Sequence, residues 1–184
     1  MYSVYQHWDP LKTCIVGRSY PPEFYNFITN PQVRTVMEQI AQETEEDYQK
    51  LIKLLESFNV EVLRPEIKNS IDYYKTSNGF VPPPMQPRDY SAMIGDKLFW
   101  HKQKNFMDYH KIIKQVEKTN SVNKNFLISA AITTRIGKDL YFAVDPAYPD
   151  TFSQEFQSFC KLNFSHEYRC NFLDIEGQIG RAHV

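Results

Sequence analysis

The chain has 184 residues, 42% of them hydrophobic, with 13 Phe and 12 Tyr, enough apolar mass for a sizeable core and too much for a disordered segment. Lys and Arg number 21 against 22 Asp and Glu, for a formal net charge of −1 with the signs interleaved, so no basic face points to nucleic acid or an anionic membrane. Three cysteines, Cys14, Cys160 and Cys170, are an odd number without metal-ligand spacing, and buried free thiols in a reducing, cytoplasmic setting are expected.

Strand signals begin by Lys12, which leaves no room for a signal or transit peptide, and no apolar run reaches the roughly 20 residues of a membrane span. Thr13-Cys14-Ile15-Val16 reads as a buried strand, closed by Gly17-Arg18 and a turn around Pro21-Pro22. Asn30 is a good N-cap and Pro31 a good first residue for a long helix. Ile40, Tyr48, Leu51, Ile52, Leu55 and Phe58 are expected on its buried face, with Glu43, Glu45, Glu46 and Lys50 on the solvated one, and Asn59 ends it. Val60, Val62 and Leu63 form a short strand stopped by Pro65. The polar stretch from Glu66 to Pro84 ends in three prolines and is expected to be an extended, surface-lying linker, with a polyproline ligand as a minor alternative.

Two later stretches, Met93 to Trp100 and Arg135 to Phe142, read as versions of one hairpin: an apolar strand end, a glycine beside charged turn residues, then an apolar strand start. Their glycines, Gly95 and Gly137, are 137 − 95 = 42 residues apart, a spacing at which chains repeat one supersecondary unit. Between them a helix is expected from Met107 to Lys118 and a strand from Phe126 to Ala131. After them come a helix from Ser153 to Lys161, capped by Thr151 or Ser153, and a strand from Phe164 to Phe172. The alternation gives an α/β class built of small mixed modules.

Chemistry-bearing residues are sparse. His7, His101, His110 and His166 have no Cys or carboxylate at ligand spacing, so neither a metal nor a cofactor is implied. Glycines are wrongly placed for a phosphate-cradling loop, and no nucleophile elbow is present. Asp174, Glu176 and Gly177 read as a polar turn. Asp89, just ahead of an apolar strand, is a carboxylate able to accept two parallel hydrogen bonds from a guanidinium. The residues alone favour a plainer role, pairing with Arg88 or capping a turn.

In order along the chain, Trp8-Asp9-Pro10-Leu11 with Val16-Gly17-Arg18, then Val60-Glu61-Val62-Leu63-Arg64-Pro65, then Met85-Gln86-Pro87-Arg88-Asp89 with Ile94-Gly95 resemble the amidinotransferase family, its glycine amidinotransferases especially. The long helix between the first two motifs and the Tyr74-Lys75 stretch before the third fit as well. The resemblance implies a pentein-type β/α propeller, a ring of five small strand-and-helix modules, of which this chain holds part. It implies a reaction in which a Cys thiolate attacks the guanidino carbon of arginine, ornithine leaves, and an amine such as glycine accepts the amidino group. The substrates are small molecules, arginine and an acceptor amine, with no nucleic acid or membrane partner and a homodimer as the expectation for the full-length protein. By the same resemblance Asp89, in the Pro-Arg-Asp motif, is a guanidino-binding residue, with Arg88 beside it. The family's acidic residue ahead of its Arg-x-Gly-x-Asp segment is replaced here by Ser129 or Ile132, which leaves the acceptor open. A hydrolase of the arginine deiminase kind and a noncatalytic domain binding a guanidino ligand or a partner are the alternatives.

The family's catalytic His follows a turn like Glu176-Gly177, but position 178 is Gln, and the residues after it, Ile179-Gly180-Arg181-Ala182-His183-Val184, fit no continuation of the fold. They match the translation of a common sequencing adapter, ATC GGA AGA GCA CAC GTC. The expectation is therefore that 1–177 is the N-terminal part of a single truncated propeller domain. Residues 178–184 are then an artefact, and His183 is not catalytic. Such a fragment lacks its nucleophile and acid and leaves strand edges and apolar faces uncovered, so it should be inactive and poorly soluble.

Overall fold

A computed structural model describes residues 8–68, 71–77, 79–89, 91–100, 109, 111, 112, 128, 130–144 and 154–174. The chain divides into two compact units, one of Pro10–Pro87 with Gln103–Gln115, the other of Met1–Asp9, Arg88–Lys102 and Val116–Val184.

The unit of Pro10–Pro87 is built on a strand-helix-strand core. β1 (Thr13–Ile15) and β2 (Glu61–Leu63) pair in parallel, Cys14 opposite Val62, and α1 (Pro31–Ser57) makes the crossover between them. The helix starts where expected: the Asn30 side chain accepts from the Gln32 and Val33 amides at 3.0 and 3.3 Å, and Pro31 occupies a position whose N–H would have no partner. It stops at Asn59, which adopts φ 58°, a left-handed conformation asparagine tolerates better than most residues. The buried face differs from the expected one. Ala41 and Ile52 are buried and Tyr48 and Leu55 half-buried, whereas Ile40, Leu51 and Phe58 are exposed and Glu45 turns inward.

Residues 66 to 84 are not a surface linker. A short helix, α2 (Ile71–Tyr74), leads into the two-residue strands β3 (Lys75–Thr76) and β4 (Gly79–Phe80), which pair antiparallel. Tyr74 is fully buried with Tyr20 and Phe24, and Phe80 packs against them. Tyr20 stacks on Phe24 at 3.9 Å between ring centroids, and its hydroxyl donates to the Val81 carbonyl at 2.7 Å. Aromatic rings whose polar ends find backbone partners draw this stretch into a core despite its polar composition.

In the other unit both expected hairpins form. β5 (Ser91–Ile94) pairs with β6 (Lys97–Trp100), and β7 (Thr133–Ile136) with β8 (Asp139–Val144), each across a two-residue loop. Gly95 and Gly137 take φ 61° and 58° at the first loop position, which only a residue without Cβ occupies cheaply. α3 (Gln154–Phe164) then carries the chain over to β9 (Arg169–Asp174), parallel to β8. This helix runs beyond the expected Lys161. Phe156, Cys160 and Phe164 recur at four-residue intervals and are all buried, so Phe164 belongs to the helix and the strand begins only at Arg169. The same residues join Phe99, Ile128, Leu140 and Phe142 in one core, with Phe142 stacked on Phe172 at 5.5 Å.

The helix expected over Met107–Lys118 lies mostly outside the described residues, of which Lys111 and Ile112 are helical. Where the expected strand over 126–131 is described, at Ile128, Ala130 and Ala131, there is no strand, and Ala130–Ile132 form a turn. Thr151 and Ser153 lie outside the described residues, as do His7, His101, His110, Glu176, Gly177 and residues 178–184. His166 is exposed in the turn after α3.

Replacing fully buried Phe142 by Ala should cost about 3–5 kcal/mol in urea unfolding. The same change at exposed Ile136, two positions before the second loop's lysine, should stay within about 0.5 kcal/mol.

Candidate functional site

Pro87–Asp89 form a single 3₁₀ turn immediately ahead of β5. Two backbone bonds seat the turn: the Ala131 amide donates to the Arg88 carbonyl at 3.3 Å and the Ala130 amide to the Ser91 carbonyl at 2.8 Å. Asp89 and Arg88 are thus brought beside residues 130–131. Ser129, the third expected binding residue, lies outside the described residues. Ile132 is half-buried, and its carbonyl accepts from the Ala143 amide at 2.8 Å. Asp89 meets Arg88 at 3.8 Å from Nε to Oδ1, a loose pair in which the Arg88 side chain is 61% exposed and that of Asp89 31%. Such a contact holds the carboxylate weakly.

The Arg135–Asp139 segment is arranged differently from Asp89. Arg135 is buried in β7. Asp139 faces Arg169 across the parallel β8–β9 pair and accepts from its Nε at 2.8 Å and its Nη2 at 2.6 Å. That fork holds the Asp139 carboxyl below the usual carboxylate range.

None of the three cysteines is an activated thiol. Cys14 in β1, Cys160 in α3 and Cys170 in β9 are free, and burial pushes each thiol above its ordinary range. A nucleophilic cysteine needs the opposite shift.

Sequence reasoning missed the polar cluster at the end of β1. Arg64, next after β2, donates from Nη1 and Nη2 to the two carboxylate oxygens of Glu45 at 2.6 and 2.9 Å, and from Nη2 to the Gly17 carbonyl at 2.8 Å. Its guanidinium lies 5.5 Å above the Tyr48 ring, whose hydroxyl donates to the Met85 carbonyl at 3.1 Å. Gly17 packs so tightly on the Met85 backbone that a Cβ would come within 2.0 Å of the Met85 carbonyl oxygen. The Arg18 amide donates to the Pro84 carbonyl at 3.0 Å. Residues from three of the sequence motifs, Gly17-Arg18, Arg64 and Met85, therefore meet at one point. Hydrogen bonding to Arg64 holds the Glu45 carboxyl low. Burial, together with the neighbouring Arg64 charge, makes the Arg18 guanidinium less basic than usual. The only local signal was Glu45 itself, an acid on the helix flank nearest the core, and its partner is 19 residues away.

Glu45→Gln should destabilise the protein by about 1–2 kcal/mol at pH 7. That lies at the low end for breaking a partly buried pair, because Glu45 is 38% exposed and solvent screens it. A carboxyl lowered on folding stabilises above its unfolded value, about 4.3, and that contribution fades as pH falls through the folded value. Urea unfolding at stepped pH should thus find the wild-type advantage full near neutrality and shrinking as pH falls below the unfolded value. Gly17→Ala should cost about 2–3 kcal/mol or more by the same measurement, because backbone and not a flexible side chain must give way.

No family model matches the chain, and no curated protein does. Among solved structures it is similar to SxtG, an amidinotransferase of saxitoxin biosynthesis from Microseira wollei, at 14% identity and TM-score 0.63, over 93% of this chain and 62% of that one. It is similar to the inosamine-phosphate amidinotransferase StrB1 of Streptomyces griseus at 16% identity and TM-score 0.64, over 96% of this chain and 64% of that one. A dimethylarginine dimethylaminohydrolase variant, solved as an adduct with S-methyl-L-thiocitrulline, is matched at 11% identity and TM-score 0.57, over 93% of this chain and 64% of that one. The chain thus spans under two thirds of the length of these proteins, and over that length it has their mixed α/β fold.

Proposed function

We propose that residues 1–177 are the opening part of an arginine-dependent amidinotransferase. Its nucleophilic cysteine and proton-donating histidine would lie beyond them, and residues 178–184 would not belong to the natural protein. The observation that carries this reading is the fold held in common with two amidinotransferases, taken with a Pro-Arg-Asp turn set at the entrance to β5. The raised thiols of Cys14, Cys160 and Cys170 support a nucleophile elsewhere. The order hairpin, helix, parallel strand in β7, β8, α3 and β9 supports a modular propeller.

In the proposed reaction the thiolate attacks the guanidino carbon, the bond from that carbon to the ornithine nitrogen breaks, and the histidine protonates the leaving amine. An acceptor amine then displaces the thiolate and takes the amidino group. Asp89 is assigned to the guanidinium, the cation whose resonance must be held in place for attack. The likeness to a dimethylarginine dimethylaminohydrolase favours a second reading, in which a terminal nitrogen leaves as ammonia in place of ornithine, water then displaces the thiolate, and citrulline results.

The test begins with the genomic reading frame past codon 177. The full-length enzyme, given arginine and glycine, should release ornithine; citrulline instead would select the hydrolase. Asp89→Ala should lower kcat/KM for arginine about 100-fold, the scale for losing one partner of a desolvated charge pair. Wild-type turnover in that variant discards the assignment, and arginine turnover by the 184-residue chain alone discards a nucleophile beyond it.

A further inference from the structure

The Arg18 side chain has no partner of its own. The residue is half-buried, and only its backbone amide is engaged, on the Pro84 carbonyl. Among the described residues nothing accepts from its guanidinium, and its Nε is buried without an acceptor. Arg64 next to it is committed through its two Nη atoms, to Glu45 and the Gly17 carbonyl, while its Nε too is buried without an acceptor. Buried donors on charged groups are costly to leave unmet.

The carboxylates whose charge reaches Arg18 are Glu45 and Glu66, and both are spent elsewhere. Glu45 gives its oxygens to Arg64 and to Gln49, whose Nε2 donates at 2.7 Å. Glu66 takes the Lys111 ammonium at 2.7 and 2.5 Å. With Glu45 set against Arg64 and Glu66 against Lys111, the positive charge of Arg18 is left over. Place in the fold agrees with charge. β1 and β2 run parallel, and Gly17-Arg18 and Arg64 come just past their carboxyl ends, the end of a parallel sheet at which α/β proteins gather ligands. Gly17 pressed on the Met85 backbone and the Arg18 amide bonded to Pro84 fix the point from which the side chain starts.

We infer that Arg18, beside Arg64 at the carboxyl end of the β1–β2 pair, is a binding site for the carboxylate of a small molecule. A planar guanidinium offers a carboxylate two parallel N–H donors. A single negative charge balances the one left over, where a phosphate dianion would overshoot it. The site does not depend on the enzymatic reading.

Acetate is the probe, with chloride holding the ionic strength constant. The melting temperature of the 184-residue chain should climb with the logarithm of acetate concentration above the millimolar range. Arg18→Gln should remove that dependence and, in chloride alone, melt about 2–4 °C above the wild type, since it deletes an unbalanced charge. An Arg18 with a purely structural role would do the reverse. Arg18→Lys keeps the charge but not the fork, and should need about tenfold more acetate for the same shift. Inorganic phosphate stabilises proteins in general, so its effect is read as the difference between wild type and Arg18→Gln, and that difference should be smaller than acetate's. A wild type indifferent to acetate, an acetate response that survives in Arg18→Gln, a variant melting below the wild type in chloride, or a larger difference with phosphate would overturn the proposal.

Discussion

The guanidinium of Arg64 is the tie on which the unit of Pro10–Pro87 depends. Two strands of three residues each cannot hold a parallel pair by themselves. The helix that joins them buries few side chains, Ala41 and Ile52. Arg64 closes that gap by binding the α1 carboxylate of Glu45 and the carbonyl at the end of β1 with one planar group. A lysine would keep the charge and lose the geometry, because only the fork reaches two carboxylate oxygens and a carbonyl together. Around the same point Gly17 admits the Met85 backbone, so polar satisfaction and steric fit are imposed in one place.

The second unit uses a different device. Its phenylalanines interlock between the hairpins and α3, and among its described residues the ion pair of Asp139 with Arg169 lies at the start of the β8–β9 register. Aspartates of similar sequence context are therefore in unlike states. Asp139 is committed to a structural arginine, whereas among the described residues Asp89 makes a loose contact with Arg88. That contrast is the physical basis for proposing Asp89, and not Asp139, as the guanidinium-binding residue.

Features governed by neighbouring residues were legible in the sequence. Asn30-Pro31 set the start of α1, and a glycine between apolar runs set both hairpins, because caps and tight loops are decided within three or four residues. The failures are long-range. Which side of α1 is buried depends on where β1, β2 and Met85 lie, and the helix carries apolar residues on more than one side, so its own periodicity misassigns Ile40 and Leu51. The stretch of 66–84 looked like a linker because its composition is polar, yet Tyr74 and Phe80 complete a core begun by Tyr20 and Phe24. At the candidate site the Pro87-Arg88-Asp89 turn was visible as a motif. The cluster of Arg64, Glu45 and Gly17 was not, since its members come from three separated segments.

The two glycine-initiated loops carry a kinetic implication. Each hairpin needs only two residues to reverse direction, so its pairing can form within microseconds from any unfolded conformation. The parallel pairs β1–β2 and β8–β9 each enclose a whole helix, and ordering so long a segment is paid before any ladder bond is gained. During synthesis and refolding the hairpins should thus stand as early, locally encoded islands. The slower step should be the closing of each parallel pair around its helix, and it is in that interval that unpaired strand edges are most open to the wrong neighbour.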